Sequence, residues 1–141
     1  MQASLQVTPY LFFDGNCEAA FRFYAQCLGG TIAMMMRHSD APAGTPIPEG
    51  SGKLIMHARL ELPGGQVLMA SDEMPGQPHR VEGFRVSLSV KEVAEAERLY
   101  QALSQDGTVV MPLQPTFWSA RFAMFSDRYG TPWMINCELP A

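Results

Sequence analysis

FSDRYGTPWMINCEL, residues Phe125 to Leu139, reads as a strand, a tight turn and a second strand. The turn residues are Asp127, Arg128, Tyr129 and Gly130. Gly130 supplies the positive φ that a short hairpin loop commonly needs, and the Asp127 side chain can accept from the loop backbone. The last strand is therefore expected to pair antiparallel with its predecessor. The same pattern occurs earlier in the chain. GGQVLMAS, from Gly64 to Ser71, aligns with YGTPWMIN, from Tyr129 to Asn136, which places Gly65 on Gly130 and Met69 on Met134.

Working outward, the repeat widens. RFYAQCLGGTIA, from Arg22, aligns with RLYQALSQDGTVV, from Arg98, with Tyr24 on Tyr100 and GTI on GTV after one inserted residue. Leu5 to Phe13 is β-rich, and the spacing over Cys17–Leu28 is helical and stops at Gly29-Gly30. Thr31–Arg37 reads as a strand, and Leu54–Leu62 with Val67–Ser71 as a hairpin. The order then restarts: strand Phe84–Val90, helix Lys91–Gln105, strand Thr108–Leu113, and a closing hairpin of Phe117–Ser126 with Thr131–Glu138. This predicts an α+β chain of two βαβββ modules with external helices, module one over about residues 5–72 and module two over about 84–139, forming a single domain over 1–141. Pro- and Gly-rich linkers, Ser39–Gly52 and Glu73–Gly83, separate the elements. The first is expected to be mobile, and either to close over a site or to cross to a partner.

The 141 residues suit one domain. A net charge of -4 without a Lys/Arg run argues against nucleic acid as a partner. No apolar run reaches the ~20 residues of a membrane span, and the N-terminus lacks the marks of a signal peptide. Cys17, Cys27 and Cys137 are odd in number. Cys17 and Cys27 share the first predicted helix, separated by ~15 Å of rise, too far for a disulfide. Reduced thiols in a cytoplasmic protein are the expectation, with a reactive thiol as the alternative.

PYLFFDGNCEAAFRFYAQCLGG, from Pro9, and FW…RFAMFSDRYGTPWMINC, from Phe117, resemble the vicinal oxygen chelate superfamily of glyoxalase I, ring-cleaving dioxygenases and bleomycin-resistance proteins. The resemblance is to its PhnB-like branch, often labelled demethylubiquinone methyltransferase-like. It implies two cupped mixed sheets. In metal-using members, equivalent strands of the two modules supply four His or Glu ligands. Carried across, those seats are Pro9, Met69, Arg85 and Met134. Proline offers no donor, arginine stays protonated, and thioethers are soft, so no metal and no other cofactor are expected.

Period-two alternation predicts what lines the cup. Arg85, Ser87 and Ser89 point inward, with Phe84, Val86, Leu88 and Val90 toward the helix. Met134 and Asn136 point inward with Met124, Phe122 and Trp118, and Met69 with Val67 and Ser71. The candidate ligand-binding residues are Arg85, Ser87, Asn136, Met69, Met134, Trp118 and Phe122. Arg85 needs an anion, supplied either by a protein carboxylate or by a ligand. Met69, Met134 and Trp118 are read first as core or cavity packing and only second as ligand contacts. A two-residue Gly64-Gly65 turn would set His57 opposite Asp72 and off Met69's face, a structural contact. Met34–Met36 suits a strand buried on both faces, or a dimer seam.

Three functions compete. The first is a metal-free, homodimeric binder of a small, partly apolar molecule, anionic where Arg85 anchors it. The second is a metal-dependent lyase, isomerase or dioxygenase using His57, Glu61 or Asp72 as nonstandard ligands. The third is a methyltransferase, disfavoured because no G-x-G-x-x-G-type loop joins a strand to a helix. Whether the chain is an enzyme is left open by the residues themselves.

Overall fold

The computed structural model of the chain describes residues 5–76 and 79–140. Its elements are β1 (Tyr10–Phe13), α1 (Cys17–Leu28), β2 (Thr31–Arg37), β3 (Ile55–Leu62), β4 (Gln66–Asp72), β5 (Val86–Val90), α2 (Val93–Ser104), β6 (Thr108–Gln114), β7 (Ser119–Ser126) and β8 (Pro132–Glu138). The order is βαβββ twice. The chain divides into two compact units, Met1–His79 and Arg80–Ala141, each holding one helix and one four-stranded sheet. Strand order is β1-β4-β3-β2 in the first sheet and β5-β8-β7-β6 in the second. In each sheet the first strand lies parallel to the last and the other pairings are antiparallel.

Each sheet buries one face under its helix. In the first unit Leu11 and Phe13 of β1, Ala58 and Leu60 of β3, and Leu68 and Ala70 of β4 meet Ala20, Phe21 and Tyr24 of α1. Phe13 stands edge-on to Phe21 at 6.3 Å between ring centroids. In the second unit Ala123 and Phe125 of β7 and Trp133, Ile135 and Cys137 of β8 are buried with Ala96, Leu99 and Leu103 of α2. The buried helical residues recur at three- and four-residue spacing, and the buried strand residues at two.

The closing turn is built on one carboxylate. Asp127, 3 % exposed, accepts from Tyr129 N at 2.8 Å, Thr131 N at 3.2 Å and Trp133 Nε1 at 2.7 Å. Gly130 takes φ 89°, which suits a residue without Cβ. The glycines of the repeated GT pair serve a second purpose. They follow the helix and let its exit cross closely over the third strand of the module. A Cβ on Gly30 would lie 2.8 Å from Glu61 O, and one on Gly107 would lie 2.2 Å from Ser126 O.

Several elements are shorter than expected. β1 begins at Tyr10 and not at Leu5, with Leu5 and Val7 exposed. β5 begins at Val86, paired with Trp133, where Phe84 was expected to start a strand. The preceding residue of β8 is Pro132, which has no N–H to extend the ladder. Phe84 consequently lies outside the strand and is 52 % exposed, not packed against the helix. β2 is an edge strand with no buried residue, so Met34–Met36 is not sandwiched on both faces. The Ser39–Gly52 loop is closed at its base by Ser39 N donating to Gly52 O at 3.0 Å, and Ser51 within it is fully buried.

Gly107→Ala is expected to lower stability by on the order of 3 kcal/mol, since the added methyl meets backbone that cannot step aside. Gly30→Ala should cost less, because one of its two nearest neighbours is the end of the Leu62 side chain. Urea midpoints measure both. A Gly107→Ala midpoint equal to wild type would contradict the close crossing.

Candidate functional site

The face of each sheet turned away from its helix is where ligand-facing side chains can stand. In the second sheet, register puts Ser87 beside Met134 and Met134 beside Met124, with Ser89, Asn136 and Phe122 forming the next row. Ser87 and Ser89 are exposed, and Met134, Asn136 and Met124 half-buried. Ser119 Oγ lies 2.7 Å from Asn136 Oδ1, so its hydroxyl can hold that amide in place. Trp118 precedes β7, half exposed, and meets Phe122 edge-on at 5.4 Å. Six of the seven proposed ligand residues therefore share one surface: Ser87, Asn136, Met134, Trp118 and Phe122 directly, and Arg85 at its margin. Met69 belongs to the first sheet.

Among the described residues Arg85 does not meet the protein carboxylate that was one of the two anions expected for it. Its Nη1 donates to Phe125 O at 3.1 Å and more weakly to Trp133 O at 3.4 Å. No ion pair to it is found among the described residues. Main-chain carbonyls carry partial negative charge, and Arg85 is only half-buried, so a full counter-charge is not required. Beside it opens a cavity of about 480 Å³, lined by Val81, Glu82, Gly83, Phe84, Arg85, Ser126, Pro132 and Met134. Phe84 joins this wall because it falls outside β5, a position that strict alternation could not anticipate.

The first sheet departs further from expectation. Parallel pairing sets Tyr10 against Met69 and Phe12 against Ser71. The residue beside Met69 on the open face is thus Tyr10, and Pro9 is one residue off. The cause is an offset between the repeats. The helices Cys17–Leu28 and Val93–Ser104 are 76 residues apart, whereas the strand ends Phe13 and Val90 are 77 apart. One fewer residue joins strand to helix in the second unit, and period-two geometry turns that single residue into a change of face. By the same pairing the neighbour of Met134 is Ser87, not Arg85.

His57 is corrected in the same way. The β3–β4 turn has three residues, Pro63–Gly65, and Leu62 pairs with Gln66. Ala58 stands opposite Ala70, so His57 falls opposite Ser71, on Met69's face. It contacts Tyr10, not Asp72: Tyr10 Oη and His57 Nδ1 are 3.2 Å apart, and the rings stack at 5.8 Å and 28°. Asp72 lies on the buried side, accepting from Cys17 N at 2.9 Å and Ile55 N at 2.8 Å. Glu61 lies on the open face, ~13 Å along the strand from His57, and pairs with Arg59 at 3.6 Å. His57, Glu61 and Asp72 do not converge. Among the described residues no group of three His, Cys, Asp or Glu side chains could hold a metal ion. Neither register pair, Tyr10–Met69 in the first sheet or Ser87–Met134 in the second, offers a His or carboxylate ligand, and the thioether in each is too soft for a hard divalent cation.

The three cysteines are buried, and none is in a disulfide. The Cys17 thiol is pushed up from 9.0 to about 12, by burial first and then by the charges of Asp72 and Glu18. At pH 8 iodoacetamide should therefore label Cys17 only when the chain is unfolded, read by mass spectrometry. The sign on stability follows. From pH 9 toward 12 the native thiol keeps a proton that the unfolded one gives up, so stability falls as pH rises through that window. Native labelling at the rate of a free thiol would contradict this.

A family model described as Glyoxalase/Bleomycin resistance protein/Dioxygenase superfamily matches residues 6–135. The Escherichia coli K12 protein YjdN is 31 % identical, over 94 % of this chain and 95 % of its own. The crystal structure of protein PA1353 from Pseudomonas aeruginosa shares 51 % identity and a TM-score of 0.87, covering 96 % of this chain and 98 % of that one. A Bacillus cereus structure titled as a putative 3-demethylubiquinone-9 3-methyltransferase, PhnB protein, has a TM-score of 0.77 at 24 % identity, covering 94 % of this chain and 99 % of its own, which speaks to the fold. Among the described residues no helix is long and apolar enough to cross a membrane.

Proposed function

Given that this chain belongs to the Glyoxalase/Bleomycin resistance protein/Dioxygenase superfamily, we propose that it is a PhnB-like, metal-independent binder of a small, partly apolar molecule that bears an anionic group. The observation that carries this is Arg85. It is the one cationic residue in the wall of the 480 Å³ cavity, which also holds Phe84, Pro132, Met134 and the acidic Glu82, and among the described residues only its Nη1 has a hydrogen-bond partner. A cavity of that size, mixing apolar walls (Val81, Phe84, Pro132, Met134) with polar side chains (Glu82, Arg85, Ser126), can hold a small molecule that is partly apolar and partly polar. The remaining guanidinium donors suit a carboxylate, which they can grip in two places.

Methyl transfer is not part of the reading. The name of the B. cereus protein suggests it, yet the sequence has no G-x-G-x-x-G-type strand-to-helix loop, and the described residues form no doubly wound parallel sheet. Metal-assisted catalysis through His57, Glu61 and Asp72 is set aside because the three stand apart. The proposal includes a cytoplasmic homodimer, supported by the free edges of β2 and β6 and by exposed Val109 and Val110 on the latter. Light scattering should give twice 15.6 kDa at micromolar concentration, and a mass of 15.6 kDa would remove that part.

Aromatic and aliphatic carboxylates, screened by thermal stabilisation, test the site. A ligand at a hundred times its Kd adds ~2.7 kcal/mol of stability. Stabilisation should persist in EDTA. Arg85→Met should lose it, while the unliganded protein loses no more than ~1 to 2 kcal/mol with two carbonyl contacts gone. Equal stabilisation of wild type and Arg85→Met by every carboxylate that binds would end the proposal.

A further inference from the structure

The open face of the first sheet holds a feature that the Arg85 reading does not use. Tyr10 and His57 sit on strands separated by β4, yet their rings stack and Tyr10 Oη lies 3.2 Å from His57 Nδ1. The contact runs diagonally across β4, since Tyr10 is paired with Met69, and the small Ser71 beside His57 leaves it room. Ser71 pairs with Phe12 in β1 and falls opposite His57 in β3, and it is only 8 % exposed although it stands on the open face. Tyr10, Phe12 and Met34 remain exposed at 39 %, 49 % and 40 %, and Met36 pairs with His57 on the same row. The rings of Tyr10 and Phe12 are 5.1 Å apart. The result is an aromatic and thioether surface around one imidazole.

The chemistry of that imidazole follows from its partner. A phenol O–H is the better donor of the two, and a neutral imidazole nitrogen the better acceptor. Tyr10 donating to Nδ1 leaves the proton on Nε2. His57 Nε2 has no hydrogen-bond partner among the described residues, nor is it one of the buried unpartnered atoms, so it faces outward as a donor. The charged residues of this face, Arg59 and Glu61, pair with each other at 3.6 Å and offer no net charge. The surface therefore suits a neutral ligand, unlike the cavity beside Arg85.

We infer that the Tyr10–His57 pair is a recognition element for a neutral planar aromatic ketone or aldehyde, whose ring rests on Phe12 and Met36 and whose carbonyl oxygen accepts from His57 Nε2–H. Tyr10 acts through His57, holding its ring and its tautomer, and is a positioning residue.

The test uses the full chain and three probes of one shape. 2-Acetylnaphthalene supplies ring and carbonyl, 2-ethylnaphthalene the ring alone, and 2-naphthoate a charge. With ¹⁵N-histidine label, the ketone should shift the Nε2 resonance of His57. It should bind roughly fivefold to tenfold more tightly than the hydrocarbon, the worth of one neutral hydrogen bond. His57→Leu and Tyr10→Phe should each remove most of that advantage. His57→Gln, which restores an N–H donor, should recover part of it and covers the case in which the leucine variant fails to fold. Arg85→Met should leave ketone binding unchanged while it weakens naphthoate, so the two sites fail separately. Equal affinity for ketone and hydrocarbon, an unmoved His57 resonance, or no ketone binding at millimolar concentration would each overturn the inference.

Discussion

A strand shows alternate residues to opposite faces, and so the parallel pairing of first strand with last decides what each sheet offers. Tyr10 against Met69 and Ser87 against Met134 are the two pairs in question. They bury Leu11 and Phe13 under one helix and turn the half-buried Val86, Leu88 and Val90 toward the other. Every residue on the open faces is there because the core claims its neighbours. Slip the first pair by one position and Leu11 goes to solvent while Tyr10 goes to the core. The register is therefore held by burial of large apolar side chains, and the ligand-facing surface is its complement.

Two buried carboxylates secure the ends of this arrangement, each in its own way. In the second unit Asp127 gathers two loop amides and the Trp133 indole, so that turn and core are tied by one side chain. In the first unit the carboxylate stands at the far end of the last strand. Asp72 binds the first amide of α1 and the amide of Ile55, which joins three elements. The position equivalent to Asp72 in the second unit is Cys137, at the same offset of 65 that links Met69 to Met134. The repeat is thus one of architecture, with the fastening chemistry different in each copy. A carboxylate spent on two buried amides is not free to ligate a metal, so the fastening also bears on function.

The architecture was legible in the residues because long-range constraint and local signal agree there. Helix α1 was expected over Cys17–Leu28 and lies there, since apolar spacing, Gly29 and the following strand all point one way. The open face of β8 was legible too, because Trp133, Ile135 and Cys137 alternate cleanly with Met134 and Asn136. What could not be read was parity across a turn. Gly64-Gly65 looks like a two-residue loop, but Pro63 starts the turn and makes it three, which moves His57 to the other face. Likewise the offset taken from the helices misplaced the β1 seat by one, since strand-to-helix connections vary by a residue without cost to the core. Signals for both existed: Pro63 itself, and the alternation of Leu11 and Phe13 with Tyr10 and Phe12.

Arg85 illustrates how a charge can be tolerated without being answered. The guanidinium sits where Pro132 ends the β8 ladder, and the carbonyls of Phe125 and Trp133 that it meets belong to that same region. A lysine in its place would present a compact, strongly hydrated charge with no fork to share between two oxygens and a ligand. Arginine can hold the sheet margin with one nitrogen and keep its other donors turned to the cavity. The first sheet works by the opposite logic. Its charges cancel within the Arg59–Glu61 pair, and the Tyr10–His57 contact sets which ring nitrogen of His57 turns outward. An anionic group matches the chemistry beside Arg85 in the second sheet, and a neutral aromatic carbonyl matches the first. The chemical character of each open face, more than the fold they share, is what narrows the ligand.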